Sequence, residues 1–302
     1  MTRALITGAG GFVGRHLRAH LDAAGDDVIG VDREVDVTDP DALDAAIAAA
    51  APEVVYHLAA MTHVGESWQR PEAFTRVNVV GARNVLEAAH RVAPEAVVLV
   101  VSSADVYGVV DIAELPLDEG HVTRPASPYA QSKIEAERVA REAAHRGQRV
   151  VIVRPFNHIG PGQAATFVVP ALATRLLDAR DQGASSVPVG DLSARRDFCD
   201  VRDVVRAYRL LAAFGVAGEV YNVASGHDVA IGDVATWLVA RIAPQVELRV
   251  AEALLRPVEV PVSRGSFAKL QRVTGWEPRI ALSASLEDVV AELEAGRTRH
   301  QS

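Results

Sequence analysis

Five short apolar runs recur through the first half of the chain: Ala4–Thr7, Val28–Asp32, Val54–Leu58, Val97–Ser102 and Val150–Arg154. A strand with one wet face alternates apolar and polar residues. These runs do not, so each reads as a strand buried on both faces. Between them lie Ala-, Leu- and Arg-rich segments long enough to be crossover helices. Strand–helix–strand alternation implies a parallel sheet, and right-handed crossovers place helices on both sides of it. The expected fold class is α/β, a doubly wound parallel sheet.

The second half is less regular. Gly160–Gly162 and Pro188–Gly190 carry turn formers, Val201–Phe214 reads as a helix and Glu219–Asn222 as a short strand. A helix from Ile231, a strand near Val246–Val250, a proline-broken loop at Arg256–Pro261 and an amphipathic helix near Ser285–Glu294 follow. No repeat or low-complexity linker divides the chain, and 302 residues bury a full core without staples.

Composition excludes several classes. The single Cys199 cannot form an intramolecular disulfide, which points to a reducing cytoplasm. A net charge of −8 argues against nucleic acid or a membrane surface as partner. The first apolar run is broken by glycines before a signal core forms, and no stretch approaches the roughly 18 apolar residues of a membrane span. A soluble protein is expected. No HExxH or Cys–His spacing suggests a metal site.

Gly8-Ala9-Gly10-Gly11-Phe12-Val13-Gly14 follows the first strand and opens a helix. Gly8 allows the tight turn, Gly11 the close approach of backbone to a pyrophosphate, and Gly14 close helix–strand packing. The helix N-terminus offers N–H groups and partial positive charge to phosphates. The predicted cofactor is therefore NAD(H) or NADP(H), on a Rossmann-type sheet. Asp32, closing the second strand, suits the adenosine ribose and repels a 2′-phosphate; Arg33 beside it could hold that phosphate. Asp36 and Val37 suit the adenine edge. The division expected is a dinucleotide-binding domain of residues 1–160 plus 197–228, with 161–196 plus 229–302 forming a smaller, interleaved substrate-binding lobe.

Tyr129 and Lys133 stand one helical turn apart and share a face. A free phenol has a pKa of about 10, and a neighbouring ammonium favours the phenolate, so the pair reads as a proton relay. Lysine occurs only at 133 and 269, in a chain that writes its other 29 basic residues as arginine. Arginine would be a poor substitute in a relay. Ser103 ends a central strand, where open α/β sheets bind ligands. An exposed Tyr/Lys pair and a serine that merely ends a strand are the plain structural alternatives.

Together, the glycine start, Ser102-Ser103-Ala104-Asp105-Val106-Tyr107-Gly108 and YxxxK resemble the extended short-chain dehydrogenase/reductase superfamily of nucleotide-sugar enzymes. Arg154–Gln163, Arg195–Phe198, Asp200–Val204 and Thr274–Pro278 make the chain most similar to its GDP-6-deoxy-mannose reductase branch. The resemblance implies NAD(P)H-dependent reduction of the C4 ketone of a GDP-linked 4-keto-6-deoxyhexose. It implies Tyr129 as proton donor, Lys133 lowering its pKa, and Ser103 orienting the carbonyl. It adds Leu58, Ala59, Ala60 and Phe156 to the cofactor contacts. Thr62, His63 and Ser67, counted as following the fourth strand, join Asn157, His158, Arg175, Arg196 and Arg256 as expected nucleotide-sugar contacts. It also implies a homodimer paired through helices near Val79–His90 and Ser132–Ala144. Asp105 stands where dehydratases of the family carry a glutamate base. The carboxylate is one methylene shorter, which favours a reductase over a 4,6-dehydratase. That enzyme, a 4-epimerase and a non-catalytic NAD(P)-binding regulator remain the alternatives.

Overall fold

A computed structural model describes residues 1–254 and 260–301, with side chains to Thr298. The chain begins β1 (Arg3–Thr7), α1 (Phe12–Ala23), β2 (Asp27–Val31), α2 (Pro40–Ala50) and β3 (Val54–His57). Two short helices, α3 (Val64–Ser67) and α4 (Pro71–Phe74), lead through a π-helical turn at Thr75–Val80 into α5 (Gly81–Val92). Then come β4 (Val97–Val101), α6 (Pro128–His145) and β5 (Val150–Pro155). The remainder runs β6 (Asn157–Ile159), α7 (Val168–Gln182), β7 (Ser186–Val189), β8 (Arg195–Asp200), α8 (Val201–Phe214) and β9 (Val220–Val223). It closes with β10 (Asp228–Ala230), α9 (Ile231–Ile242), β11 (Glu247–Val250), β12 (Val262–Ser263), α10 (Ala268–Thr274) and α11 (Leu282–Gln301).

The main sheet has six parallel strands in the order β2-β1-β3-β4-β5-β9. Each apolar run feeds both of its faces alternately. Ile6, Tyr56, Leu99 and Val153 point to a core shared with α1 and α8, whereas Leu5, Val55, Val100 and Ile152 point to one shared with α2, α5 and α6. The period-2 alternation of strand side chains explains why an unbroken apolar run was needed. Leu17 of α1 is fully buried in the first of these cores, so its truncation to alanine should cost roughly 2–5 kcal/mol.

A third core, with Val169, Leu176, Leu238 and Val290, holds α7, α9 and α11 together in the lobe. There β8 pairs with β6, β10 and β12, and β7 pairs with β11. The sequence reading placed no strands at β6, β7, β8, β10 or β12. These are short pieces of two to six residues, too short to show a period. The last helix is also longer than expected, spanning Leu282–Gln301. Within 229–302, Leu270 and Trp276 pack under the main sheet and not in the lobe core. Thr62, His63 and Ser67 follow the third strand, not the fourth. Among the described residues, no helix is long and apolar enough to cross a membrane.

After β1 the chain turns one way to β2, then returns past β1 to β3. The resulting crevice at the carboxyl ends of β1 and β3 is where such sheets take ligands.

Candidate active site

The glycine turn sits in that crevice. Gly8 has φ +73°, and a Cβ there would lie 2.8 Å from the Ala59 nitrogen, where β1 and β3 end side by side. A Cβ on Gly14 would collide with the Gly8 carbonyl oxygen and stand 2.8 Å from Ala9 backbone atoms. A Cβ on Gly11 would meet only the Gly8 oxygen, at 3.1 Å, and would otherwise project into the open crevice. The turn is closed by Gly11 N–H donating to Gly8 (3.1 Å), and α1 starts on Gly11 without a side-chain cap. Its first N–H groups are therefore free for an anionic ligand. The Asp32 carboxylate folds over Gly10, at the position a Cβ there would take. These features fit a dinucleotide's pyrophosphate and ribose: a cradle that a side chain would fill, with an acidic ledge beside it.

Around the cradle, Leu58 N–H donates to the Thr7 carbonyl (3.1 Å) and Ala59 N–H to the Thr7 hydroxyl (3.3 Å). Arg33 is exposed and its guanidinium has no partner among the described residues. Asp36 accepts from Thr38 N–H (2.8 Å), while Val37 is buried over Gly81. Phe12 stacks on His158 at 5.9 Å and Val13 packs on the core beneath. Arg15, absent from the sequence reading, donates to Gly10 O (2.6 Å) and Gly162 O (3.0 Å), tying the turn to the lobe.

The reactive group lies at the ends of β3 and β4. Ser127 caps α6 by accepting from Ala130 N–H (3.1 Å), and Pro128 occupies its first turn. That start fixes Tyr129, then Lys133 and Glu137, on one buried line at four-residue spacing. The Tyr129 phenol is hydrogen bonded to Ser103, whose Oγ also accepts from Asp105 N–H (3.1 Å). Lys133 Nζ donates to the Val101 carbonyl (2.8 Å).

Burial raises the Tyr129 pKa well above that of a free phenol; Asp105 adds to this, and the Ser103 bond opposes it. Burial pulls Lys133 down to about 8, against the charge of Glu137. The expected lowering of Tyr129 by Lys133 is absent here. The ammonium is turned down onto β4, and the charge acting on the phenol is that of Asp105. His57, buried at the end of β3 and bonded to Thr7 Oγ1 (2.9 Å), is held neutral; burial and then Lys133 take its pKa to about 3.

Other expected positions divide. Asn157 is exposed on β6 with no side-chain partner among the described residues, and Thr62 is exposed. His63 is occupied as a cap, its Nδ1 accepting from Glu66 N–H (3.1 Å), and buried Ser67 donates to Val64 O (2.6 Å). Phe156 is not presented to the crevice. Its ring is buried between Tyr107 and Gly265, and its N–H donates to Val223 O (2.8 Å). Burial lowers the pKa of His158. Arg175 donates to Pro188 O (3.1 Å), and Arg196 to Arg195 O (2.9 Å) and Val260 O (2.6 Å), so both guanidinium groups are engaged by backbone. Arg256 lies outside the described residues.

Two further residues were missed. Asn78, buried in the π-helical turn, accepts from Met61 N–H (2.8 Å) and donates to Met61 O (3.0 Å) and Ser132 Oγ (2.9 Å), fixing the loop after β3 to α6. Glu137 was legible as the next step of the Tyr129–Lys133 spacing.

A glycine cradle, an acidic ledge and a Ser–Tyr–Lys group at one sheet end define a dinucleotide-dependent oxidoreductase site. Residues 4–224 match the NAD dependent epimerase/dehydratase family, to which the chain belongs. It is thus an extended short-chain dehydrogenase/reductase, an enzyme using NAD(H) or NADP(H). It is 40% identical over 300 residues, 97% of each chain, to GDP-6-deoxy-D-mannose reductase of Pseudomonas aeruginosa. It is 32% identical to dTDP-glucose 4,6-dehydratase of an Actinoplanes species, over 82% of this chain and 75% of that one. A solved structure of RMD from Pseudomonas aeruginosa complexed with NADPH superposes with TM-score 0.90 at 38% identity, covering 98% of this chain and all of the other. UDP-glucose 4-epimerase of Thermus thermophilus, in complex with NAD, gives TM-score 0.86 at 28% identity over 97% and 99%.

Proposed function

We propose that this enzyme reduces the C4 ketone of a GDP-linked 4-keto-6-deoxyhexose, with Tyr129 as proton donor. The observation that carries the reading is the buried Tyr129 phenol, held by Ser103 and kept protonated at neutral pH. A base that must remove a proton needs a lowered phenol; a donor to a developing alkoxide needs a loaded one. Full-length identity of 40% to a GDP-6-deoxy-D-mannose reductase supports the substrate class.

Reduced NAD(P), when bound, supplies the hydride. Gly8, Gly11 and Gly14 leave the crevice open to its pyrophosphate, and Asp32 faces its adenosine ribose. Ser103 Oγ accepts from Asp105 N–H, and its hydroxyl, hydrogen bonded to Tyr129 in this structure, turns to the ketone oxygen and orients it. As that oxygen gains negative charge, Tyr129 Oη transfers its proton there and the alcohol forms. The Lys133 ammonium, which donates to the Val101 carbonyl in this structure, turns to the phenolate left behind and stabilises it until solvent reloads it. Asp105 lacks a neighbouring acid at Ala104, and a ketone reduction needs no carbon-bound proton removed. Asn157, Arg196 and Arg256 are the proposed contacts to the sugar diphosphate, with Thr62, His63 and Arg175 at its periphery. A homodimer through α5 and α6 belongs to the same reading, testable by light scattering.

The deciding experiment mixes enzyme, NADH or NADPH, and 4-keto-6-deoxyhexoses on GDP, dTDP, UDP and CDP. Stoichiometric loss of reduced cofactor with the GDP sugar is expected. No loss of reduced cofactor with any of these ketones, together with turnover of a parent 4-hydroxy hexose on the same nucleotides and NAD(P)+ returned unchanged, would instead identify a dehydratase or epimerase.

A further inference from the structure

Behind Tyr129 and Lys133 runs a buried polar chain that the reaction above does not use. Glu137 is 1% exposed, yet its carboxylate is fully engaged. Oε1 accepts from Ser102 Oγ (2.6 Å) and Arg154 Nε (2.7 Å); Oε2 accepts from Arg154 Nη2 (2.7 Å) and Arg141 Nη2 (2.8 Å). Arg154, itself 2% exposed, donates onward from Nη1 to the Tyr107 hydroxyl (3.0 Å), which donates to Asn222 Oδ1 (2.8 Å). Glu137 thus joins α6, β5 and the residue that follows β4, and Arg154 extends the chain through Tyr107 to β9.

A buried ion pair is a poor way to gain stability, because desolvation offsets most of the attraction and an apolar pair would often serve as well. The place of this pair suggests another use. Glu137 lies one turn below Lys133 on the same buried face, and Ser102 immediately precedes Ser103. We infer that Glu137 is a positioning residue: its carboxylate, fixed by Arg154, keeps the Lys133 ammonium charged and anchors the strand end that carries Ser103.

Among the described residues that face it, Glu137 is the only charged group that supports the lysine's charge, beside the hydrogen bond to the Val101 carbonyl. From β3 comes His57, neutral. From β4 comes the Val101 carbonyl, and from the π-helical turn the uncharged Asn78, through Ser132. Tyr129 lies one turn earlier on α6, protonated, and Asp105 acts on Tyr129. From β5 comes Arg154, whose positive charge Glu137 cancels. Burial alone would raise Glu137, but bonds and charge from Arg154, with Ser102 and Arg141, outweigh it and keep the carboxyl ionised. Removing that carboxylate leaves Arg154 unopposed as well, and both effects push the lysine proton off.

The scarcity of lysine makes the test direct. Protein labelled with carbon-13 at lysine Cε gives two resonances, Lys133 and Lys269, assigned by Lys269→Arg. The Lys133 titration midpoint, near 8 in the native protein, is expected to fall by about one to two pH units in Glu137→Gln. Glu137→Asp should restore much of it. If Glu137→Gln does not fold, Glu137→Met combined with Arg154→Met replaces the pair with apolar groups and is read the same way. A midpoint unmoved in the folded variants overturns the inference. The inference draws on the proposed reaction only for its kinetic arm, in which the alkaline limb of kcat/KM moves down with the lysine. A native enzyme that reduces no 4-keto sugar would refute the proposed function and leave the titration to stand or fall alone.

Discussion

Adding one methyl group at Gly11 or at Gly14 should produce two separable defects, because the two positions face different things. At Gly14 the new Cβ meets backbone of the glycine turn, the Gly8 oxygen and two Ala9 atoms, none of which moves cheaply. Overpacking of this kind costs about 1–3 kcal/mol, here near the upper end, and alanine returns roughly 1 kcal/mol of helix propensity. The net loss of about 2 kcal/mol corresponds to a melting point lower by about 3 °C for a chain of this length. At Gly11 the new Cβ touches only the Gly8 oxygen at 3.1 Å, and the backbone there (φ −67°, ψ 169°) suits any residue. Stability should change by less than about 0.5 kcal/mol. The methyl group instead stands over the first free N–H groups of α1. Losing close approach to them should weaken NAD(P)H binding at least tenfold, or about 1.4 kcal/mol. Fluorescence titration of NADH and NADPH, with melting curves with and without cofactor, reads both quantities on the same samples. Gly11→Ala binding cofactor as the native protein does would refute the assignment of the cradle. Gly14→Ala melting like the native protein would refute the packing argument.

Replacing Tyr129 by phenylalanine should cut turnover by about 10²–10⁴ with cofactor affinity unchanged, measured by single-turnover NAD(P)H oxidation. Exchanging Asp32 for asparagine should raise kcat/KM for NADPH relative to NADH by about tenfold, since the charge facing a 2′-phosphate is removed. His57 titrates near 3 when folded and at about 6.5 when unfolded, so its contribution is complete above pH 6.5 and lost as pH falls towards 3. Denaturant titrations at pH 7 and pH 5 should lose about 2 kcal/mol more in the native protein than in His57→Gln. Equal losses would mean that the imidazole is not held neutral.

Much of the fold was legible because burial is written as periodicity. Runs such as Val97–Val101, apolar at every position, cannot lie at a half-wet edge, and five of them separated by helical stretches leave little choice but a doubly wound sheet. The glycine turn and the Tyr129–Lys133 spacing were readable for a similar reason: each is a local geometry completed within a few residues. The lobe was less readable. β8 is a strand because β6, β10 and β12, distant in sequence, arrive to pair with it, and none of these carries enough residues to show an alternation.

The sequence by itself determined which segments are strands of the main sheet, where a glycine turn opens the first helix, and which phenol and amine share a helix face. Only the tertiary structure decided what those groups touch. Spacing brought Lys133 to the face of Tyr129, but packing of α6 on the sheet turned the ammonium to Val101 and left Asp105 acting on the phenol. It also joined Thr7 to His57 and Glu137 to Arg154, pairs 50 and 17 residues apart. Periodicity records that a side chain is buried, whereas its partner comes from another element, placed by the summed packing of the whole chain.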